Sequence, residues 1–369
     1  HFFLFIYVLT PYLATFMPIA WAGLVVSLGA LVTLGLFPLM PGLVRRFGAQ
    51  HLAIGFAVLE ALVLLWLALS PGPVAATVLA ALACAISPFI VYQLDILLEA
   101  TVKGEEQTGR IRTAFITAGN LMLILSPLMI GLLLAGTDRY DRVFFVAAFS
   151  LLPFIILMLC TAFPQGRAPT THNVREALTC ITGDKDLRSI AIAMGILQIF
   201  YHLAPLYIPL YLHTALGIPW SELGWMFAVM LLPFVLLEYP AGALADTKLG
   251  DKVLLLGGFV CMGLSFAAIS LITATTPAFV ILTILVLTRV GAALVEAMVE
   301  GHFFRRVSEQ DTNTVSVFRM TRPAGALVAP LIGSIFLAFT SYAVFFFVSG
   351  IVIAVLGVMA ARSVYDARA

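Results

Sequence analysis

The stretch Ala241-Gly-Ala-Leu-Ala-Asp-Thr-Lys-Leu-Gly-Asp-Lys252 separates two long apolar segments of the chain. Residues 223–237 before it are almost wholly apolar, and residues 253–272 after it are apolar again. Each segment approaches the roughly 20 apolar residues that a transmembrane helix needs. The pattern therefore predicts two membrane-spanning helices joined by one short polar loop.

Small and charged residues characterise this loop. Gly242 and Gly250 allow tight turns, and Asp246 and Lys248 mark the exit of the chain into water. The spacing Gly-x-Leu-Ala-Asp…Leu-Gly-Asp-Lys resembles the loop motif of the major facilitator superfamily, a large group of secondary transporters. In that family the loop joins the second and third helices of each six-helix half, on the cytoplasmic side.

A second, degraded copy of the motif lies earlier in the chain, at Pro41-Gly-Leu-Val-Arg-Arg-Phe-Gly48. Arg45 stands where the family has an aspartate, so the contact made by that aspartate is not expected in the first half. Two copies in one chain indicate a duplicated protein, and the resemblance covers essentially the whole chain.

The composition is that of a membrane protein. Of the 369 residues, 62% are hydrophobic and only 11% are charged, whereas soluble domains have about 25% charged residues. The mean hydropathy is +1.08. Apolar segments long enough to span a bilayer recur along the sequence, which lacks the short alternating segments of transmembrane β-barrels. The net charge of +1 gives no indication of a nucleic-acid partner.

The separators between apolar segments predict twelve transmembrane helices. These cover roughly residues 1–17, 20–43, 50–70, 74–99, 112–135, 142–163, 188–212, 221–243, 253–273, 277–300, 314–338 and 341–362. The expected fold class is an all-α integral membrane protein with two pseudo-symmetric six-helix bundles. Residues 1–163 form the first half, residues 164–187 a cytoplasmic linker with a short surface helix at about 174–182, and residues 188–369 the second half. Because His1 already lies in an apolar run, the first helix is expected to begin upstream of it.

The two halves repeat the same features in the same order. An acid pair four residues apart follows each loop at a nearly equal distance, and a proline–glycine step follows each acid pair. These features are Gly48, Asp95, Glu99 and Pro127 in the first half and Gly250, Glu296, Glu300 and Pro330 in the second. With six helices each, both halves begin on the same side of the membrane, which predicts parallel repeats about an axis along the membrane normal.

Loop charges predict the orientation of the protein. All lysines and arginines of the predicted loops lie on one side, except Arg139 and Arg142. Positively charged loops face the cytoplasm, so both termini are expected there, in a bacterial-type inner membrane.

Charged residues inside predicted spans mark candidate binding sites, because each costs at least about 2.5 kcal/mol at mid-bilayer. Arg289 lies near the centre of the tenth span, on one helical face with Glu296 and Glu300. The fourth span carries a comparable set, Tyr92, Gln93, Asp95 and Glu99. The resemblance implies that both spans line a central cavity. Arg289 is interpreted as a contact for an anionic substrate group or a proton-exchanging carboxylate; the alternative is a buried pair with Glu296.

Proline interrupts the predicted seventh and first spans. Gln198, His202 and Pro205 share one face of the seventh span, and Pro11 precedes Tyr12 in the first. Interruptions at corresponding places of two repeats point to the binding site of a transporter. Gln198, His202 and Tyr12 are therefore candidate substrate contacts, together with Arg289, Tyr92 and Gln93. For His202 the alternative is a structural hydrogen bond.

Three of the four acids considered inside predicted spans are candidates for proton coupling. Asp95 and Glu296 could each bind the coupled proton or form a gating salt bridge. Glu238 is a third coupling candidate, because the resemblance implies that eighth-span residues can reach the cavity. Glu60 lies in the third span, which is peripheral in the family, and is interpreted as a helix-packing hydrogen bonder rather than a coupling site.

A cytoplasmic gate is expected from the two loops and the neighbouring helix ends. Glu99 and Glu300 lie at the membrane edge and are expected to pair with basic residues of cytoplasmic loops, such as Arg305. Arg319 or Arg322 is expected to pair with an acid such as Glu300. The full set of gate residues is Arg46, Gly48, Glu99, Gly242, Asp246, Lys248, Gly250, Glu300, Arg319 and Arg322.

The sequence carries no enzyme signature. It has no phosphate-binding loop of an ATPase and no HExxH or Cys/His cluster for a metal. Glu296, Glu300 and His302 are close in sequence, but His302 is expected to begin a loop. No catalytic residue, metal or cofactor is therefore expected.

The sequence predicts a monomeric secondary active transporter that moves a small solute across the lipid bilayer by alternating access. The acids within the spans favour proton coupling. Arg289 favours an anionic or zwitterionic metabolite, and the aromatic-rich apolar spans favour a drug-like substrate. One alternative is a non-transporting receptor on the same scaffold, although no large soluble domain is present. Another is a lipid flippase, in which Glu60 would lie on a lateral path.

Overall fold

A computed structural model describes residues 1–101, 105–163, 174–245, 250–307 and 312–365. These residues form helices and no strand. Helices are expected because lipid offers the backbone no hydrogen-bond partner, so each span must pair its own N–H and C=O groups.

Sixteen α-helices lie within the described residues. They are α1 (Phe2–Ala14), α2 (Ile19–Leu36), α3 (Met40–Phe47), α4 (Ala49–Ala68), α5 (Pro73–Thr101), α6 (Glu105–Leu134), α7 (Tyr140–Phe149), α8 (Leu152–Cys160), α9 (Val174–Gly183), α10 (Lys185–Pro209), α11 (Trp220–Leu244), α12 (Gly250–Ala268), α13 (Ala278–Arg306), α14 (Thr312–Arg319), α15 (Thr321–Phe339) and α16 (Tyr342–Arg362). Short 3-10 turns, Phe37–Leu39 and Ile269–Leu271, follow α2 and α12, and a π-helical segment, Leu210–Ala215, follows α10.

Ten helical segments in this part of the chain are long and apolar enough to cross a membrane. Two shorter apolar helices, Phe2–Ala14 and Ala118–Leu134, coincide with the predicted first and fifth spans. Each of the twelve predicted spans thus coincides with helical, apolar sequence. The prediction of an all-α membrane fold is confirmed.

Three predicted spans are each divided into two helices close to a proline. Pro38 lies in the 3-10 turn between α2 and α3, Pro153 is the second residue of α8, and Pro323 is the third residue of α15. Proline has no N–H to donate to the preceding turn, so the hydrogen-bond ladder is interrupted there. Each of these predicted spans is present but consists of two helices, and Ile19–Phe47 and Tyr140–Cys160 are still single apolar segments long enough to cross a membrane.

The chain divides into two compact units. Unit 1 comprises His1–Thr170, Pro205–Thr214 and Ile218–Trp225; unit 2 comprises Thr171–Ala204, Ala215–Gly217 and Met226–Ala369. Unit 1 therefore contains the first predicted half together with the end of α10 and the start of α11. The linker helix predicted at about 174–182 is present as α9, which packs against α14 within unit 2.

Unit 1 is built around α5, which packs against α2 and α4. A Cβ on Gly29 of α2 would lie 2.6 Å from both the Ala81 carbonyl oxygen and the Cys84 Cβ, so the two backbones touch. The Thr33 hydroxyl of α2 donates to the Ala85 carbonyl at 3.0 Å. Small residues allow this close approach, which is the usual way that helices associate in membranes.

Gln50, in the first turn of α4, caps the end of α8. Its Nε2 donates to the carbonyls of Met158 at 2.6 Å and Thr161 at 2.7 Å, and its Oε1 accepts from the Phe163 N–H at 3.1 Å. The last carbonyls of a helix have no partner within it, so one glutamine supplies hydrogen bonds that α8 itself cannot make.

Unit 2 is built around α12, which packs against α13 and α16. A Cβ on Gly291 of α13 would lie 2.6 Å from the Gly258 carbonyl oxygen of α12. At the other interface, a Cβ on Gly263 would lie 2.6 Å from the backbone nitrogen of Ala354 in α16. The absence of side chains at these glycines brings the helix backbones into direct contact.

Two glycines at equivalent places of the repeat have left-handed backbone conformations. Gly48, which precedes α4, has φ 80°, and Gly250, which begins α12, has φ 75°. A side chain is strained at such angles, so glycine is the favoured residue at both turns. Gly242, also expected in a turn, lies instead within α11 because the helix continues to Leu244.

Candidate functional site

Arg289 lies on α13 in the interior of unit 2. Its side chain is only 3% exposed, and its guanidinium carbon lies 5.0 Å from the ring centroid of Phe200 on α10. Arginine stacks favourably on aromatic faces, and the attraction increases when water is excluded. The Phe200 ring thus covers one face of this buried guanidinium.

Glu296 lies about two turns along α13 from Arg289 and is half-buried. Its Oε2 accepts a hydrogen bond from the Tyr201 hydroxyl of α10 at 2.5 Å. α10 and α13 are therefore linked by two contacts. The Phe200 ring packs against the Arg289 guanidinium, and the Tyr201 hydroxyl donates a hydrogen bond to Glu296. These adjacent aromatic residues were not among the candidates predicted for substrate binding.

Gln198 and His202 are one turn apart on α10. Gln198 is 4% exposed, and a Cβ on Gly325 of α15 would lie 2.9 Å from its Cβ. The Nδ1 atom of the half-buried His202 lies 2.8 Å from the Gln198 carbonyl oxygen. Because a carbonyl only accepts, Nδ1 carries a proton, and Nε2 is the ring nitrogen that remains for a ligand.

The proline in this region does not break α10. The helix runs through Pro205 to Pro209, and the π-helical segment follows directly. Likewise Pro11 lies inside α1, which continues to Ala14. The expected interruption is therefore a change of helix type after Pro209, rather than a break at Pro205.

The candidates in unit 1 have different environments. Tyr12 is half-buried and packs edge-on against Phe144, with ring centroids 4.9 Å apart. Tyr92 is half-buried against Phe37. Gln93 is fully buried, and neither its Oε1 nor its Nε2 has a hydrogen-bond partner in the described structure, whereas Asp95 is exposed.

A second polar cluster in unit 2, the His302 cluster, comprises Asp186, Asp251, His302, Arg305 and Arg306. His302 Nε2 lies 2.9 Å from Asp186 Oδ2, and its Nδ1 lies 2.8 Å from Asp251 Oδ2. Arg305 pairs with Asp251, and Arg306 Nε lies 2.9 Å from Asp186 Oδ2. Ionised carboxylates accept hydrogen bonds only, so the ring must donate from both nitrogens, as an imidazolium does.

The His302 cluster also binds the end of α16. The backbone N–H of Tyr365 donates to Asp186 Oδ1 at 2.8 Å, and the guanidinium carbon of Arg306 lies 5.6 Å from the Tyr365 ring centroid. Val364, the second residue after the end of α16, is 1% exposed. Asp186 of α10 thus binds two other segments of unit 2, α13 and the residues after α16.

The His302 cluster corrects two predictions. His302 was expected to begin a loop, but it lies inside α13, which continues to Arg306. Arg305 was offered as a partner for Glu300, but it pairs with Asp251. Sequence reasoning missed Asp186 and Asp251; the available signal was the placement of acids in the first turns of α10 and α12, where helix dipoles favour them.

The remaining gate candidates lie near helix ends. Arg322 Nη2 of α15 lies 3.5 Å from Glu300 Oε1, and Arg319 at the end of α14 is exposed. Arg46 at the end of α3 is exposed and lies over the Phe47 ring at 5.2 Å. Asp246 and Lys248 lie outside the described residues, as do the side chains of Glu99 and Glu238.

A cavity of about 530 Å³ lies in unit 1, away from these candidates. It is lined mainly by apolar residues of α4, α6 and α7, with Asp141 and Arg142 at one side. The described residues contain no group of three His, Cys, Asp or Glu side chains placed to hold a metal ion.

Comparison with known proteins shows a similarity in sequence for the second half of the chain and a similarity in fold for nearly all of it. A sequence model of the major facilitator superfamily matches residues 189–369. The fold resembles the crystal structure of the nucleoside transporter NupG, with a TM-score of 0.70 and 16% sequence identity, over 98% of this chain and 95% of that chain. No curated protein sequence matches the chain. Residues 189–369 of this integral membrane protein are therefore similar in sequence to the major facilitator superfamily, and nearly the whole chain has the fold of the transporter NupG.

Proposed function

We propose that this transporter moves a small, neutral, polar solute with a flat ring, such as a nucleoside, by proton-coupled alternating access. The match of residues 189–369 to the major facilitator superfamily supports secondary transport of a small molecule. The observation that carries the substrate class is the pairing of hydrogen-bonding and aromatic side chains on α10 and α13. The name of the structural relative NupG adds nucleosides as the first compounds to test.

The polar atoms on α10 suit a neutral solute. His202 has Nε2 available, and Tyr201 presents a half-buried ring whose hydroxyl is oriented by Glu296. Binding sites for small molecules combine apolar or aromatic walls with a few oriented polar groups. A ring could stack on Tyr201 while its hydroxyl or amide groups bond to the histidine and the carboxylate.

The burial of Arg289 favours a neutral substrate over the anionic one predicted from the sequence. An anion would have to reach a guanidinium that is 3% exposed and covered on one face by Phe200. We therefore assign Arg289 to positioning α10 against α13. In this role its charge is held by the protein rather than by the substrate.

Proton coupling is part of the proposal. Several acids lie on membrane-spanning helices, and an ionisable group inside a membrane is a functional candidate by default. Asp95, Glu238 and Glu296 remain the predicted coupling residues. We also propose an inner-membrane location with both termini in the cytoplasm, on the distribution of basic loop residues.

The flippase alternative loses its main support. It requires Glu60 to line a path open to lipid, but Glu60 is 0% exposed. A charge enclosed among helices cannot contact a passing lipid headgroup. The receptor alternative remains distinguishable by transport assays.

The test is uptake of radiolabelled uridine and adenosine into liposomes that contain the purified protein, with and without an imposed pH gradient. Wild-type protein should accumulate at least one nucleoside when the gradient is present. Replacing His202 by alanine should reduce uptake by about tenfold, the effect of losing one substrate hydrogen bond of about 1.4 kcal/mol. His51→Ala, a change at an exposed histidine in α4, is the matched control.

Each result has a defined meaning. Absence of nucleoside uptake and of thermal stabilisation by nucleosides would overturn the substrate class. Normal uptake by His202→Ala would remove that residue from the site. Stabilisation by a nucleoside without uptake by well-folded protein would favour the receptor alternative.

A further inference from the structure

The cavity of about 530 Å³ in unit 1 has no role in the site described above. Its lining includes Leu65 and Ala68 near the end of α4 and Leu133 near the end of α6. The first turns of α7 contribute Arg142 and Phe145. Since α4 and α6 end here and α7 begins here, all three helices reach the same surface of the membrane. The cavity therefore lies between helix ends, close to the level of the lipid headgroups.

The lining of this cavity changes from polar to apolar with depth in the membrane. Asp141 and Arg142 lie in the first turn of α7, at the water end of the helix, and Phe145 lies one turn deeper. On α4, Leu65 lies one turn deeper than Leu69. A glycerophospholipid has the same order, with a charged phosphate at the headgroup level and acyl chains below it. The lining is complementary to such a molecule along its length.

Arg142 is the side chain suited to hold the phosphate. It is exposed, and its Nη1 donates a hydrogen bond to the Leu133 carbonyl oxygen at 3.2 Å. A guanidinium has five N–H donors, so this contact positions the side chain at the end of α6 and leaves donors for an anion. Arginine suits phosphate because its planar fork can donate two parallel hydrogen bonds to the phosphate oxygens.

The acids near Arg142 in sequence have other partners. Asp141 Oδ2 lies 2.8 Å from Arg139 Nη2, so these two charges compensate each other. Asp138 Oδ1 lies 2.9 Å from His213 Nε2. Among the described residues, Arg142 takes part in no ion pair. Its positive charge is therefore complementary to a phosphate placed at this end of the cavity.

The apolar part of the cavity continues into apolar side chains that face outward. The rings of Phe145 and Phe149, one turn apart on α7, have centroids 4.4 Å apart and are both exposed. Leu69 at the end of α4 and Leu132 of α6 are exposed as well. In a bilayer such side chains contact acyl chains. An acyl chain in the cavity would therefore extend along a surface that already faces lipid.

We propose that this cavity binds one glycerophospholipid, whose phosphate pairs with Arg142 and whose acyl chain packs between the ends of α4, α6 and α7. Basic pockets between membrane helices are known to bind lipid headgroups. With the orientation proposed above, the lipid belongs to the outer leaflet. None of the lining residues is a candidate for substrate binding or proton coupling. The lipid is therefore a separate ligand of unit 1, which links three helix ends.

Native mass spectrometry of delipidated protein with added phosphatidylglycerol tests the proposal without any transport assay. The wild-type protein should retain one lipid per chain. Arg142→Gln should bind this lipid about tenfold more weakly, the effect of losing one charge-assisted hydrogen bond. Arg188→Gln, which removes an exposed arginine of α10 in unit 2, is the matched control and should bind like wild type. Equal affinities of wild type and Arg142→Gln would overturn the proposal.

Two further compounds separate a phospholipid from other occupants. Glycerol 3-phosphate carries the phosphate without acyl chains, and diacylglycerol carries the chains without phosphate. Because a ligand of the folded state raises the melting temperature, phosphatidylglycerol should raise it more than either compound at equal concentration. An equal rise with glycerol 3-phosphate would assign Arg142 to a soluble anion. An equal rise with diacylglycerol would show that the phosphate is not recognised. Either result refutes the proposal.

Ala68→Leu tests the apolar part of the site. Ala68 is half-buried at the end of α4 and lines the cavity, so a larger side chain would fill the space for the acyl chain without changing any charge. Lipid binding should fall severalfold, whereas Ala338→Leu, at an exposed alanine near the end of α15, should bind normally. Unchanged lipid binding by Ala68→Leu would contradict the proposed position of the chain. If Ala68→Leu does not fold, the surface change Arg142→Gln still decides.

Discussion

Replacing Gly291 by alanine should destabilise unit 2, because this glycine is where α13 touches α12. A Cβ at this position would lie 2.6 Å from the Gly258 carbonyl oxygen and 2.7 Å from the Met262 Cα. Both are backbone atoms, so no side-chain rotation can relieve the overlap. The two helices must move apart, or α13 must rotate about its axis.

The size of the effect follows from this displacement. Ordinary van der Waals contact begins near 3.4 Å, so the helices must separate locally by nearly 1 Å, a gap that forfeits a substantial part of the dispersion attraction between facing atoms. Overpacking of a well-packed interface costs about 1–3 kcal/mol. With about 2–4 °C of melting temperature per kcal/mol for a unit of this size, Gly291→Ala should melt on the order of 5 °C lower.

Gly257 of α12 provides a matched control. It is exposed, and a Cβ there would meet nothing within 4 Å. Alanine should therefore be tolerated at position 257 and gain up to about 1 kcal/mol of helix propensity. Melting of both variants in detergent, followed by tryptophan fluorescence, measures the difference. Equal melting temperatures for Gly291→Ala and Gly257→Ala would refute the close contact between α12 and α13.

Two further substitutions test other contacts. His302→Ala leaves Asp186 and Asp251 without the ring that links them. The free energy of unfolding should fall by about 3 kcal/mol, the lower end of the range for a broken buried ion pair. The lower end applies because arginines still contact both acids. Faster proteolysis after α16 should accompany this loss, and a melting temperature equal to wild type would contradict it. Gln50→Ala removes three hydrogen bonds from the end of α8 and should lower the free energy of unfolding by about 1–3 kcal/mol. Amide hydrogen exchange at Phe163 should become faster. Unchanged exchange at Phe163 would argue against the cap.

The membrane fold could be predicted because its determinants are local. Each span must be apolar over its own length, and each boundary has its own helix-breaking residues. Hydropathy therefore located the ten described segments that are long enough to cross a membrane and two shorter apolar helices. Pro38, Pro153 and Pro323 lie where three predicted spans divide into two helices. Whether a helix continues through a proline in a membrane depends on the neighbouring helices, which the sequence of one segment does not reveal. The tenth span was predicted to end near residue 300, whereas α13 continues through His302 to Arg306.

The candidate site was only partly predictable, because its geometry depends on residues that are distant in the chain. Periodicity correctly placed Arg289 and Glu296 on one helix. It could not show that their neighbours are Phe200 and Tyr201 on α10, which are separated from them by 89 and 95 residues of sequence. For the same reason the sequence did not reveal the environment of Glu60. Glu60 lies in α4, and its partner His1 lies at the start of α1.

The two halves share their turns but not their buried charges, and this difference separates fold from function. Gly48 and Gly250 both have positive φ, because a turn of this shape strains any side chain, and a duplicated chain must keep glycine at both copies. A buried charge has no such restriction: it requires only a partner, which can differ between copies. Glu60 in one unit and Arg289 in the other are therefore positions where the copies have diverged without loss of the fold.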